Sequence, residues 1–483
     1  MPRPIKLAPP GTATSVAQSE QLRARFDAIR AEQGVPEAFP PEVLAEARAV
    51  VTSAALPDRD ETSVPFVTID PPGSMDLDQA LHLARDGEGY RVRYAIADVP
   101  AFVAPGGALD DEARRRGQTI YAPDRRTPLH PPELSEDAAS LLPDQVRPAY
   151  VWDLRLVPDG EAASAEVYRA LVRSRERHDY HGVQEAVDGG TADEVLVLLK
   201  EVGEKRIALE RTRGGASLPM PEQEVSEDGE DHYRLHFRPL VAAEDWNAQL
   251  SLMAGMAAAE IMLKGGVGIL RTMPAPEPAA MARFRREARA LGVQWHEEQP
   301  YGEFLRSLDR TNPLHLALVH EATALFRGAG YTPFDGEAPQ APDHAAVAAP
   351  YAHVTAPLRR LVDRFGLVVC EALCRGAEVP AWVREALPTL PEAMQSSDRV
   401  AGAVERACAD AVEAAVLADR VGEVFDAVVV DDRNSSGVLI QLHEPAVVAM
   451  ADGRAELGST VQARLVAADI ATSTVRFAVA GPA

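Results

Sequence analysis

The residues with the clearest chemical potential lie in one stretch, Thr68-Ile69-Asp70-Pro71-Pro72-Gly73-Ser74-Met75-Asp76-Leu77-Asp78-Gln79. Three carboxylates stand at spacings of six and two around a Pro-Pro-Gly turn. A β-branched run leads into Asp70, which is expected at a strand end facing a cleft. The turn folds the chain back, and alternation puts Asp76 and Asp78 on one side of an extended segment, where they can face Asp70. Carboxylates this close repel and raise one another's pKa. A hard dication resolves the conflict, and oxygen donors without nearby Cys or His point to Mg2+ or Mn2+. A solvated acidic turn is the plainer reading of an Asp-x-Asp pattern alone; Asp70 on an apolar strand favours the metal.

Two further segments bear on the same chemistry. In Tyr351-Ala352-His353-Val354-Thr355-Ala356-Pro357-Leu358-Arg359-Arg360, Pro357 is expected at a helix start with both arginines in its first turn. Basic residues there oppose the helix dipole, unless they and the helix N-terminus serve an anion together. A pair of surface arginines fits this segment equally well. Thr119–Asp124 and Pro128–Ser135 form a long Pro-rich loop with one aromatic, Tyr121. That ring is either core or a platform for a base. Acidic metal ligands, an arginine clamp and a stacking aromatic describe a phosphodiester-cleaving site.

The elements that must position these residues can be read from periodicity. Helices are expected at Ser19–Gln33 and Pro41–Val51, leaning on the next domain or forming a small helix-turn-helix-like unit. Strands are expected at Pro65–Asp70, Ala80–Leu83, Tyr90–Ala97 and Tyr150–Val157. Helices then dominate, at Asp110–Arg116, Gly182–Asp188, Asp193–Glu210, Trp246–Leu263, Ala279–Leu291, His315–Phe326 and Leu358–Leu373. The acidic run Glu222–Asp231 reads as a solvated loop. From Val421 short β-rich runs suit a five-stranded OB-type barrel. The chain is thus expected to be multidomain α+β. Residues 1–60 hold a tail (residues 1–18) and a short helical region. Residues 61–415 make a large catalytic domain with a mixed sheet and helices, and 421–483 the barrel.

Composition bounds the rest. The 483 residues are 46% hydrophobic and 25% charged, which excludes disorder throughout. A formal charge of −24 argues against coating polyanions by bulk charge, though not against a local basic groove. Arg114–Arg116, Arg125–Arg126 and Arg173–Arg177 are candidate phosphate-backbone contacts or solvated faces. Three cysteines cannot make a disulfide framework; Cys370 and Cys374 read as buried helix packing in a reducing cytoplasm. No signal or membrane-spanning segment is expected, and the chain reads as a cytoplasmic monomer.

The motifs carry a family resemblance. VTIDPPGSMDLDQAL resembles the metal motif of the ribonuclease II family (RNB superfamily), YAHVTAPLRRLVD its arginine motif, and TIYAPDRRTPLHPPELSEDAASLLP the loop between them. Similarity runs from about Glu37 to about Leu373, with a family-like OB barrel after Val421. The resemblance implies a hydrolytic, processive 3′-to-5′ exoribonuclease that takes the 3′ end of single-stranded RNA and releases nucleoside 5′-monophosphates with two Mg2+. It implies Asp70, Asp76 and Asp78 as three of four metal-site aspartates, with Asp78 critical for chemistry. Arg359 then steadies the scissile phosphate, beside Arg360 in the RNA-binding groove. Tyr121 stacks on the RNA 3′ end, and Tyr180 bears on the choice of RNA over DNA. The chain departs from the pattern at Gln79, where the fourth aspartate is expected. An amide oxygen can still ligate a hard cation, without charge, so restoring the acid is expected to lower the Mg2+ requirement. Ala248-Gln249 and Met273 also depart. Two other readings are a non-catalytic RNA-binding relative and a metal-dependent phosphodiesterase acting on another nucleic acid.

Overall fold

The computed structural model describes residues 16–482 apart from 217, 219–221, 229–231, 239, 310, 433–436 and 443. The expected tail lies outside these residues except for its last three positions, which open α1 (Val16–Glu32). α2 spans Pro41–Ser53. The two helices lean on different cores and do not pair as a helix-turn-helix. Leu22, Phe26 and Ile29 of α1 join Val404 and Cys408 of a late helix and Phe425 and Phe477 of the C-terminal barrel. Val43 and Ala47 of α2 join Phe66, Ala95 and Leu109 instead. Burying a side chain such as Phe26 contributes about 1.5–3 kcal/mol, so packing rather than propensity holds α1.

The large central body opens with β1 (Phe66–Ile69), β2 (Gln79–Asp86) and β3 (Gly89–Ala97). Next come α3 (Ala108–Arg116) and a short hairpin, β4 (Ile120–Tyr121) with β5 (Arg126–Thr127). β6 (Val146–Leu156) and β7 (Ala162–His178) follow. Strands β1, β2, β3, β6 and β7 close into a barrel. The sheet is mixed as expected, but its closure was not foreseen. β7 achieves it by length: Ala162–Arg173 pair antiparallel with β6, and Ser174–His178 pair parallel with β1. Alternate residues serve two cores. Val67, Ile69, Leu81, Tyr94 and Trp152 enter one, Phe66, Ala80, Ala95 and Val151 the other. Burial on both faces explains the near-continuous apolar runs.

Helices then wrap the barrel: α4 (Tyr180–Asp188) and α5 (Glu194–Arg213). The acidic run, expected as a loop, instead begins as β8 (Glu222–Asp228), paired antiparallel with β9 (His232–Arg238). α6 (Ala242–Gly265) is the expected buried helix, and no helix among the described residues is long and apolar enough to cross a membrane. There follow β10 (Val267–Thr272), α7 (Pro278–Ala290), α8 (Tyr301–Arg306), α9 (Pro313–Ala322), β11 (Gly330–Asp335) and the short pair β12 (Asp343–His344) and β13 (Ala349–Pro350). α10 (Leu361–Cys374), α11 (Ala381–Ala386) and the long α12 (Leu390–Leu417) complete the body. Cys370 is buried in α10 as expected, whereas Cys374 is exposed at its end.

The C-terminal unit comprises β14 (Val424–Asp432), β15 (Val438–Leu442), β16 (Val448–Asp452), β17 (Thr460–Asp469) and β18 (Thr474–Pro482). They form a second closed barrel in the order β14-β15-β16-β18-β17, as an OB-type unit requires. The fold class is that expected from the sequence.

Candidate active site

β1 delivers Asp70: its N–H donates to the His178 carbonyl at 3.1 Å, extending the pairing with β7. The chain then reverses through Pro71–Ser74, with the Ser74 N–H on the Pro71 carbonyl at 3.2 Å. Gly73 adopts φ +82°, a conformation that favours glycine. Arg177 also donates to the Pro71 carbonyl, at 3.1 Å. Ser140 pins the return segment, accepting from the Leu77 N–H at 2.9 Å and donating to the Met75 carbonyl at 2.6 Å. Leu77 is fully buried, which fixes the register of the aspartates on either side.

Asp78 lies buried beside the Pro357–Arg360 segment. Its Oδ1 accepts from the Leu358 N–H at 2.8 Å and its Oδ2 from Arg359 Nε at 2.6 Å. Burial pushes its pKa up to about 6 against the opposing pull of Arg359. Asp70 rises to about 7, through burial above all, with Asp78 and Asp76 adding repulsion and Arg359 working against it. Asp70 Oδ2 is buried and has no hydrogen-bond partner among the described residues.

The arginines do not stand in the first turn of α10, as the sequence suggested. They precede it: α10 starts at Leu361 and Arg360 is its N-cap residue. The conflict with the helix dipole therefore does not arise. The Thr119 N–H donates to the Arg359 carbonyl at 2.9 Å, and the Leu361 N–H to the Gly117 carbonyl at 2.9 Å. Arg360 turns onto Asp363, at 2.8 and 2.7 Å, rather than onto the aspartate cluster.

The β4–β5 hairpin supplies the opposite wall. Ile120 enters the core shared by α1, α12 and the C-terminal barrel, so alternation turns Tyr121 the other way. Tyr121 and Arg126 are cross-strand partners, and both reach Asp76. The Tyr121 hydroxyl donates to Oδ2 at 3.3 Å and Arg126 Nη1 to Oδ1 at 2.6 Å. Arg126 Nη2 also pairs with Glu136 at 2.8 Å. Other arginines read as phosphate contacts are paired within the protein too: Arg114 with Asp110, Arg115 and Arg116 with Glu112, Arg125 with Asp27. The approach of Arg126 to Asp76 was missed, because hairpin register decides it.

Gln79 uses both ends of its carboxamide inside the protein. Its Nε2 donates to the Thr355 carbonyl at 2.7 Å, and its Oε1 accepts from the Tyr94 hydroxyl at 2.6 Å. The Thr355 hydroxyl in turn bonds Ser251 at 2.8 Å. Tyr94 and Ser251 carried no signal in the sequence, and Thr355 stood there only as part of the arginine motif. Tyr180 is half-buried at the start of α4, and its hydroxyl accepts from Asn247 at 3.3 Å. Burial raises its pKa to about 12, with the Asp70 charge adding to the shift. Gln249 is bonded to Glu210, and Met273 is buried.

Among the described residues no three acids, histidines or cysteines form a ready-made metal cage. The donors that fit a hard cation are narrower than the motif. Asp70 has an oxygen without a partner, and Asp70 and Asp78 both have raised pKa values that a dication would relieve. Asp76 is bonded on both oxygens and Gln79 at both ends of its amide; Asp78 is bonded on both oxygens as well, and would ligate beside the free Asp70 oxygen through its remaining lone pairs.

Comparison with known proteins places the chain in a family. The family model of the RNB domain matches residues 58–371, from ahead of β1 into α10. The chain belongs to the RNB family. A second model, the RNase II-type exonuclease C-terminal S1 domain, matches residues 423–480, the second barrel. Ribonuclease R of Chlamydia muridarum is 29% identical over 398 residues, 79% of this chain and 56% of that protein. The chain spans 25% to 61% of the length of the curated relatives it matches. In fold, the RNB chain resembles Mycoplasma genitalium RNase R in complex with ribose methylated single-stranded RNA, at TM-score 0.84 and 18% identity over 95% of this chain and 78% of that one. It also resembles yeast Ssd1, a pseudonuclease, at TM-score 0.71 and 16% identity over 88% of this chain and 55% of that one.

Proposed function

We propose that this RNB chain is a hydrolytic exoribonuclease that shortens single-stranded RNA processively from its 3′ end and releases nucleoside 5′-monophosphates. The observation that carries the reading is the pair of buried Asp78 with half-buried Arg359 beside an Asp70 oxygen with no partner among the described residues. Asp70 and Asp78 are the residues to hold a divalent cation, Mg2+ or Mn2+. Such an ion, when bound, lowers the pKa of a coordinated water and offsets charge on the phosphate.

The remaining work falls to side chains. Asp78 uses one oxygen on Arg359 Nε, which fixes the guanidinium plane. The Nη groups keep donors for two oxygens of the scissile phosphate, the fork geometry that suits phosphate. Arg359 remains charged at every working pH, since its paired acids hold its pKa well above the ordinary value despite burial. Tyr121 and Tyr180 offer faces for terminal bases at about 1–3 kcal/mol per stacked base, without regard to sequence. Arg360, committed to Asp363, acts on RNA by shaping the loop that bears Arg359.

The test is a 5′-labelled single-stranded RNA incubated with and without Mg2+, its products resolved by length. A ladder shortening from the 3′ end with Mg2+ supports the reading. A second reading, a non-catalytic RNA-binding relative, has its own observation: Asp76 and Gln79 are both engaged within the protein. It is supported by RNA that shifts in a gel but stays intact. Cleavage of DNA or of a small nucleotide alone would instead favour a phosphodiesterase of different substrate class.

A further inference from the structure

We propose that Arg126 serves as a built-in cation at Asp76, so that this site takes one divalent ion where a second would otherwise be needed. The inference rests on the metal reading above and deepens it.

The argument begins with the hairpin. Antiparallel pairing sets Tyr121 opposite Arg126, and neighbours across a ladder present their side chains on the same face. The core position of Ile120 turns that face toward the acidic loop. Arg126 thereby reaches Asp76 at 2.6 Å while its other amino group is held by Glu136 at 2.8 Å. Glu136 thus anchors the guanidinium from behind, and the Tyr121 hydroxyl takes the second Asp76 oxygen.

Charge decides the consequence. Asp70, Asp76 and Asp78 face two guanidinium groups, Arg359 on Asp78 and Arg126 on Asp76. The neighbouring position, Gln79, adds no charge and points its amide at Tyr94 and Thr355. Glu136, behind Arg126, and Arg177, whose charge acts on Asp70, extend the count to four negative groups against three positive ones, and the remaining negative charge leaves room for one dication and a phosphate. A second dication at Asp76 would meet a guanidinium already in place, and like charges within a few ångströms repel strongly in a partly buried site. Arg126 and Gln79 therefore act in the same direction: one supplies positive charge, the other withholds negative charge.

The experiment is a Mn2+ titration of the full chain without RNA, followed by loss of the free-ion electron paramagnetic resonance signal and by native mass spectrometry. The wild type is expected to bind one ion, Arg126→Gln two, and Arg126→Lys one, because lysine restores the charge. Two ions in the wild type, or one ion of unchanged affinity in a folded Arg126→Gln, would overturn the proposal. Asp76→Asn gives an independent arm: affinity for the single ion should stay within about twofold, whereas a tenfold loss, about 1.4 kcal/mol, makes Asp76 a ligand and overturns it. No binding in any variant overturns the metal reading itself and this proposal with it.

Discussion

Arg30 of α1 grips Asp124, at the tip of the β4–β5 hairpin, with two hydrogen bonds of 2.7 and 2.8 Å. The guanidinium is buried and takes Asp27 as well. The N-terminal helix is thereby tied to the wall of the site that carries Tyr121 and Arg126. Arg30→Met should destabilise the protein by about 3–5 kcal/mol, because it strands Asp124 without its counter-charge. RNA affinity should fall with it. Guanidinium chloride unfolding reads the first effect; a loss below about 1 kcal/mol would mean that apolar contacts alone seat the helix.

Asp78→Asn should abolish hydrolysis, by about a hundredfold to a thousandfold or more, and leave RNA binding nearly intact. The amide keeps an acceptor for the Leu358 N–H but loses the charge opposite Arg359. Affinity comes from stacking and phosphate contacts spread along a groove. Loss of binding in parallel with activity would identify Asp78 as a folding residue.

Arg359→Lys should be impaired by at least about a hundredfold in kcat. Lysine keeps the charge but cannot bond Asp78 through Nε and offer a fork to phosphate at once. Single-turnover kinetics separates this from a binding defect. Near-normal turnover would make Arg359 a general charge.

Gln79→Asp was expected from the sequence to lower the Mg2+ requirement. The geometry reverses that expectation. The shorter acid cannot span Tyr94 and Thr355, and it has no donor for the Thr355 carbonyl. Buried groups left without partners cost about 1–3 kcal/mol each, so the melting temperature should drop while half-saturating Mg2+ does not improve. A clear fall in the Mg2+ requirement would put this side chain on the cation.

His130 gives the fold an acid-sensitive point. It is buried, and burial first, then the Arg364 charge, presses its pKa down to about 3. Between that value and about 6.5 the unfolded chain binds a proton that the native state refuses. Its contribution to stability is therefore complete above about 6.5 and lost as pH falls through that window, at up to about 1.4 kcal/mol per pH unit. Wild type and His130→Gln should differ in stability by a constant amount above pH 6.5 and converge as pH falls from 6.5 towards 4. Parallel curves would mean that His130 titrates normally.

Local chemistry explains what was legible. A β-branched strand, a Pro-Pro-Gly turn and acids at fixed spacing are local facts, so Asp70, Asp76 and Asp78 can be grouped from sequence alone. Arg359 could be added because a long motif surrounds it. β7 escaped because inward positions such as Ala170 and Ser174 are too small or polar to mark an alternation against Arg169, Arg173 and Arg175. α12 escaped because alanines dilute its apolar face and Pro391 stands in its first turn. The orientation of Gln79 depends on Thr355, 276 residues away, and that of Arg126 on which hairpin residue faces it. Such relations are properties of the packed chain, not of a segment.

The closure of the first barrel by β7, and the meeting of Asp78 with a residue 281 positions later, order events in time. The acids are made early, their arginine late. At about 5–20 residues per second, the loop waits on the order of tens of seconds on the ribosome before its partner emerges. The hairpin bearing Tyr121 waits longer, since Ile120 shares its core with Phe477 of the last strand. A chain still being translated thus has no assembled centre until β18 has emerged to complete the core beneath the hairpin.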